Sequence, residues 1–417
     1  MPTLLLDPEQ RFTCRQCGRC CRRGWDIALS PGEVNAYRKA GVARSFRVDL
    51  GQAEGTDPDP WEPIPGHDSH LRLRERADGA CGFLSPENRC RIHEELGADR
   101  KPLSCRLFPF RFHPTGGPPV VAASFCCPTV AANEGALLAT QTQQLRSLAQ
   151  DWFRAYPEPA SNVVLVAHQR LVAAQLESVR GVLRELLERK DAEGVRDLGG
   201  NVARMAHWLE DLTRYRVTRL DETGFGEYLA IMGRHAADNS TPLPSRPPSL
   251  LERLFFRGFL FTVLAGSERP RGRSAGRLGL RLRVWRLLLH THGLGPAVGS
   301  VSLAAARHSR VDLAGPALGG LVHNYLRAAI ETLGTGRRSV LDELAVAVAF
   351  LNAALVLARM RAAAEGQAGV DLATLSQGLM EAVDLTHADP GTDLGRRLTF
   401  FAGGVESLYL FASNRLL

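Results

Sequence analysis

Nine cysteines carry most of the chemistry available to this sequence, and all of them fall between positions 14 and 127. Cys14, Cys17, Cys20, Cys21, Cys81, Cys90, Cys105, Cys126 and Cys127 are followed by a stretch, residues 128–417, that has none. The amino terminus, MPTLLLDPEQRF, lacks the basic and apolar regions of a secretion leader, so a cytoplasmic chain with reduced thiols is expected. Under those conditions, and with an odd count, metal ligation explains the cysteines better than a disulfide framework.

The opening run is Cys14-Arg-Gln-Cys17-Gly-Arg-Cys20-Cys21. Thiolates two residues apart converge on one metal because the intervening turn swings both Cβ vectors to one side, and Gly18 relaxes that turn. A Cys-x2-Cys-x2-Cys run is how bacterial ferredoxins supply three corners of a cubane cluster, with a further cysteine followed by proline, a shape that Cys127-Pro128 repeats. Consecutive side chains diverge, so either Cys20 or Cys21 is expected to serve a second site or stay a spare thiol. Cys81, Cys90 and Cys105 add three more donors. The candidate ligands are therefore Cys14, Cys17, Cys20, Cys21, Cys81, Cys90, Cys105 and Cys127, with Cys126 set aside. The inventory suits a 4Fe-4S iron–sulfur cluster plus a smaller site, and equally two tetrahedral zincs; the spacing and the Cys-Pro favour iron–sulfur.

Around these donors, residues 101–112 and 119–128 read as two short strands about the turn at 113–119. Phe108, Phe110, Phe112 and Phe125 either wall the centre from water or form hairpin core, and Lys101 and Arg106 are placed to offset thiolate charge.

The motifs Phe12-Thr-Cys14 through Trp25, Cys81-Gly-Phe-Leu84, Cys90-Arg-Ile-His93-Glu-Glu-Leu-Gly97 and Lys101-Pro-Leu-Ser-Cys105-Arg-Leu-Phe-Pro-Phe110 resemble the cysteine-cluster family of zinc- or iron-chelating proteins. Within it, the chain looks most like the flagellin lysine-N-methylase branch. The resemblance covers about residues 10–130 and implies an iron–sulfur centre. It further implies methyl transfer from S-adenosylmethionine to lysines of a protein substrate such as flagellin. The residues themselves add little to the cofactor: Gly24 stands where a radical-type cysteine triplet would need its third thiol, and Gly293-Leu-Gly295-Pro-Ala-Val-Gly299 follows a helical stretch rather than a strand. A non-catalytic metal-binding module for electron transfer, redox sensing or metal handling is the rival reading.

The elements that must position the cysteines point to a mainly α protein: a small irregular α+β cysteine-cluster domain followed by an all-helical bundle. At 417 residues, with 45% hydrophobic and 23% charged, the chain is ordinary globular material for two or three domains. The expected division is residues 1–135 for the cysteine cluster and 136–417 for the helices, with a proline-, glycine- and arginine-rich region at 238–280 as a further break. Apolar periodicity marks helices at 137–156, 163–190, 195–216, 281–292, 300–307, 319–332, 339–365, 371–387 and 397–412. The run Leu344–Ala358 is expected to be a buried core helix, because 15 residues fall short of a hydrocarbon layer of about 30 Å. With 51 basic and 44 acidic residues the surface is balanced, and the seven arginines of 269–286 lack interleaved aromatics beyond Trp285, so no nucleic-acid partner is expected. The scattered histidines, His207, His235, His290, His292, His308, His323 and His387, read as structural.

Overall fold

A computed structural model describes residues 3–42, 59–157 apart from 65–66, 77 and 115–117, 163–214 apart from 167–168 and 192, 221–238, 308–383 apart from 336–337, and residues 249, 256–260, 263, 306, 408–409 and 411. The chain divides into two compact units that are discontinuous in sequence. Unit 1 takes residues 11–112 and 134–157, and unit 2 takes the N-terminal segment up to Gln10, residues 113–133 and everything from 158 onward.

Unit 1 is built of short elements: β1 (Ala28–Leu29), α1 (Pro31–Lys39), β2 (Trp61–Ile64), β3 (His67–Leu73), α2 (Arg91–Leu96), α3 (Leu103–Leu107) and the start of β4 (Phe110–His113). The chain enters unit 2 for β5 (Val120–Ala123) and α4 (Pro128–Ala131), and returns to unit 1 as α5 (Thr142–Ala155). Helix α1 begins with a capping box in which the Ser30 side chain accepts from the Glu33 amide while Glu33 reaches back, and it ends on Arg38 and Lys39, which suit the negative end of the helix. The three strands form an antiparallel sheet in the order β1-β3-β2, with Leu29 opposite Leu71 and Trp61 opposite Leu73. Leu29, Val34, Tyr37, Trp61, Leu73, Phe83 and Ile92 make its core.

This sheet had no counterpart among the expected strands. Two residues in β1, a proline in β2 and the mixed polar run of β3 give no alternation to read. Residues 101–112 correct the sequence reading: a proline-started turn of helix, α3, precedes the strand.

Among the described residues, unit 2 is helical apart from β5 and a small hairpin of β6 (Val164–Val166) and β7 (Gln169–Arg170). Besides α4, its described helices include α6 (Ala173–Glu188), α7 (Leu198–Arg214), α8 (Glu222–Asp238), α9 (Pro316–Glu331), α10 (Val340–Ala364) and α11 (Leu372–Val383). The hairpin replaces the first third of the helix expected at 163–190, because Val163-Val-Leu-Val166 is a β-branched run that a strand accommodates better than a helix. Helix α8 was not anticipated, whereas the expectations at 319–332, 339–365 and 371–387 agree with α9, α10 and α11 to within a few residues. Those at 281–292, 300–307 and 397–412 lie largely outside the described residues.

Helix α10 is apolar on every side and is the axis of unit 2, packed by α9, α11 and β6. It is 25 residues long, so the length argument against a membrane span fails; by length and composition it could cross one. Yet 78% of its most apolar stretch is buried inside the protein, as in a core helix. The approach of α11 is close: a Cβ at Gly378 would stand 2.5 Å from the Ala354 carbonyl oxygen, so glycine alone fits. Buried charges tie other parts of the unit. Arg327 of α9 donates to Asp7 at 3.1 Å and to Glu9, and His323 lies 2.6 Å from Glu188.

Candidate metal centre

The nine thiols are all free of disulfides and fall into three groups. Cys14 and Cys17 are exposed on the opening loop. Cys20, Cys21, Cys81, Cys90 and Cys105 converge within unit 1, each of the latter three half-buried. Cys126 and Cys127 are buried in unit 2, where the Cys126 sulfur sits 2.9 Å from the Ser124 hydroxyl and Cys127 caps α4.

Local structure explains the convergence. The turn Cys20–Arg22 is a 3-10 helix that leaves the two adjacent sulfurs 3.9 Å apart, so the expected divergence of neighbouring side chains does not hold here. The Cys21 carbonyl accepts from the Cys81 amide at 2.7 Å, joining the first cysteine run to the second. Gly18 is required at this junction. Its φ is +66°, and a Cβ there would meet the Asn88 carbonyl oxygen at 2.9 Å. A bridge from Leu84 to Cys90 then folds the 81–90 segment back, with Cys90 entering α2 at its N-cap. Cys81 and Cys90 both pack against the apolar core of the unit, which places the donors at the edge of that core.

The electrostatics of the group are repulsive. Burial pushes the Cys81 thiol up to about 12, opposed by the Phe83 amide aimed at its sulfur, and Cys90 and Cys20 raise it further. Burial likewise raises Cys90, against the amides of His93 and Ile92 and the charge of Lys101. Cys105 is pushed well above the ordinary thiol range by burial and then by Cys81, Cys20 and Cys90. Cys20 is the exception: hydrogen bonding from the Cys21 thiol lowers it to about 7, although burial opposes this, and Cys21 is raised in consequence. The residue Cys20 is exposed by area while its sulfur still feels burial, so it lies at the mouth of the group.

The model of a family described as "CxxCxxCC: Putative zinc- or iron-chelating domain" matches residues 13–141. No curated protein and no solved structure matches the chain. The matched stretch contains all nine cysteines, and metal chelation is the property that the family description assigns to it.

Within that domain the donor chemistry fits a soft metal: several thiols, backbone amides turned toward sulfur and one lysine. Among the described residues, no three His, Cys, Asp or Glu side chains are already drawn together into a finished ligand set. Lys101 is the cation that favours ionisation of Cys20, Cys90 and Cys105, as the sequence suggested. Arg106 is instead engaged with Asp151 at 3.0 Å. The phenylalanines pack on other aromatics, Phe110 on Phe12 at 5.2 Å, Phe108 on Trp25 at 5.0 Å and Phe125 on Tyr325 at 5.2 Å, and of these Phe110 and Phe125 are buried while Phe108 is half-exposed. The histidines His207 and His323 face carboxylates. Sequence reasoning passed over Glu33 and Tyr37 of α1, whose signal is the capping box Ser30-Pro-Gly-Glu33 with Tyr37 one turn on.

Proposed function

We propose that this chain is a metalloprotein whose centre is held in unit 1 by Cys20, Cys81, Cys90 and Cys105, with Cys21 hydrogen-bonded beside it. The reading is supported by the gathering of these thiols in one part of unit 1, inside the stretch that the chelating-domain model matches. Thiols brought together at the edge of an apolar core raise one another's pKa values, and a bound cation removes that cost by holding all of them as thiolates. Cys14 and Cys17, exposed on the opening loop, and Cys127 at the start of α4 remain candidate donors beside these.

Four thiolates complete the ligand set of a 4Fe-4S cluster or of a tetrahedral zinc. Iron–sulfur is the form preferred here, in a module for electron transfer, redox sensing or metal handling, with zinc as its alternative. S-adenosylmethionine-dependent methylation of lysines on a flagellin-like substrate draws only on the sequence resemblance; saturable S-adenosylmethionine binding by the metal-loaded chain is its test. For the centre itself, the chain is purified without oxygen and assayed for iron, acid-labile sulfide and zinc. About four irons and four sulfides with broad visible absorption are expected. Zinc alone in a colourless protein would overturn the iron–sulfur form, and a chain that takes up neither metal would overturn the centre.

A further inference from the structure

We propose that helix α1, which contains no cysteine, sets the position of Cys105 as a ligand, with Glu33 and Tyr37 acting as positioning residues of the centre. This rests on the reading of Cys105 as a ligand given above. Cys105 lies in the middle of α3, a five-residue helix that is too short to be stable by its own hydrogen bonds. Its N-cap is Pro102, which has no side-chain acceptor for the amides at the helix start. The Leu103 amide donates instead to Glu33 Oε1, at 2.8 Å, across 70 residues of sequence.

The other oxygen of the same carboxylate is occupied at home. Glu33 Oε2 accepts from the Ser30 amide at 2.7 Å and from the Ser30 hydroxyl at 2.8 Å, completing the capping box of α1. One carboxylate therefore caps two helices, its own and the one that bears Cys105. Four residues on, and so on the same face of α1, the buried Tyr37 hydroxyl donates to the Arg100 carbonyl at 2.8 Å. The chain leading into α3 is thus fastened at Arg100 and again at Leu103, immediately before the cysteine.

Tyr37 also belongs to the apolar core on which Cys81 and Cys90 pack. A shift of α1 would therefore move the segment that carries Cys105 and disturb the core beside Cys81 and Cys90. Partners of this kind, outside the ligand set, ordinarily change metal affinity by roughly 10- to 100-fold when removed. A purely structural role would lower the stability of the metal-free chain and leave the ligand geometry alone, so the two roles are separable.

The test uses the full chain carrying Tyr37→Phe, Glu33→Ala or Glu33→Gln. The control is Tyr325→Phe, which removes a comparable phenol-to-carbonyl hydrogen bond of 2.9 Å in unit 2. Each protein is titrated with cobalt(II) against a competing chelator, the thiolate-to-cobalt absorption per bound metal is recorded, and urea midpoints of the metal-free chains are compared. Tyr37→Phe and Glu33→Ala are expected to weaken cobalt binding at least about tenfold and to reduce the charge-transfer absorption. Glu33→Gln, which keeps one acceptor oxygen, should fall between Glu33→Ala and the unaltered chain, and Tyr325→Phe should bind as the unaltered chain does. Unchanged affinity and spectrum in Tyr37→Phe and Glu33→Ala would overturn the positioning role while leaving the centre in place, as would an equal loss in Tyr325→Phe. If Glu33→Ala does not fold, Tyr37→Phe decides alone. An unaltered chain that takes up no cobalt would overturn the thiolate centre and this inference with it.

Discussion

Unit 1 and unit 2 solve the problem of stability by different means. Unit 2 is built around α10, a 25-residue helix buried on all sides, with α9 and α11 packed on it. Among the described residues unit 1 has no element of that kind: its helices before α5 are nine residues or shorter, its sheet has three short strands, and the apolar cluster beside the cysteines is small. Elements that short do not hold themselves, and they depend on contacts distant in sequence such as the Glu33 to Leu103 hydrogen bond. A small domain with a thin core commonly recovers the deficit from a metal. The comparison makes a structural role for the cysteines of unit 1, beside a chemical one, an expectation to test.

Metal removal is the sharpest way to break the comparison. Structural thiolate sites contribute on the order of 10 kcal/mol, so chelation should collapse hydrogen-exchange protection across residues 11–112 and leave α10 protected. Protection lost equally in α10 would mean that the two units do not differ in this way.

A smaller effect is expected from the buried ion pairs of unit 2. Arg327→Ala leaves Asp7 without its guanidinium partner and should cost about 3–5 kcal/mol in urea unfolding, with metal content unchanged. Burial already raises the Asp7 carboxyl, with Arg327 opposing it. Without Arg327 the folded chain holds that proton to still higher pH than the unfolded chain does. The stability associated with the proton is present below the unfolded value near 3.8 and is lost as pH rises; because the Asp7 carboxyl is already raised in the unaltered chain, the deficit of the variant should grow only above that chain's own folded value, where the variant alone still holds the proton. A deficit that shrinks with rising pH would contradict this account.

The smallest effect separates thiols within unit 1. In the metal-free chain Cys20, lowered to about 7 by the Cys21 thiol, should be alkylated at a rate that rises through that pH, while Cys81, pushed to about 12, stays slow. Peptide mapping after iodoacetamide treatment reads both, and equal labelling of the two near pH 7 would remove the electrostatic distinction drawn between the mouth and the floor of the group.

Much of this was legible in the residues. The confinement of nine cysteines to the first third, the spacing of Cys14, Cys17 and Cys20, and the glycine between them announced a chelating domain before any fold was known. The long helices of unit 2 were legible because apolar residues recur over many turns, as in α9 and α11. What stayed hidden was short: β1, β2 and β3 offer too few residues for a period, and α3 starts at a proline inside what read as a strand. The phenylalanines were legible as core candidates only, since a side chain that packs on Phe12 or Tyr325 and one that shields sulfur look the same in sequence.

The sequence by itself determined which atoms are available for chemistry and where the long helices α9, α10 and α11 lie, because thiol spacing and apolar periodicity are local properties written in consecutive residues. Only the tertiary structure put Cys20, Cys21, Cys81, Cys90 and Cys105 near one another within unit 1 and made Cys126 and Cys127 part of unit 2. It alone revealed that a glutamate and a tyrosine of α1 fasten the segment carrying Cys105. The physical reason is that such choices are made by hydrogen bonds and packing between residues tens of positions apart, and their energies depend on a geometry that exists only once the chain has folded.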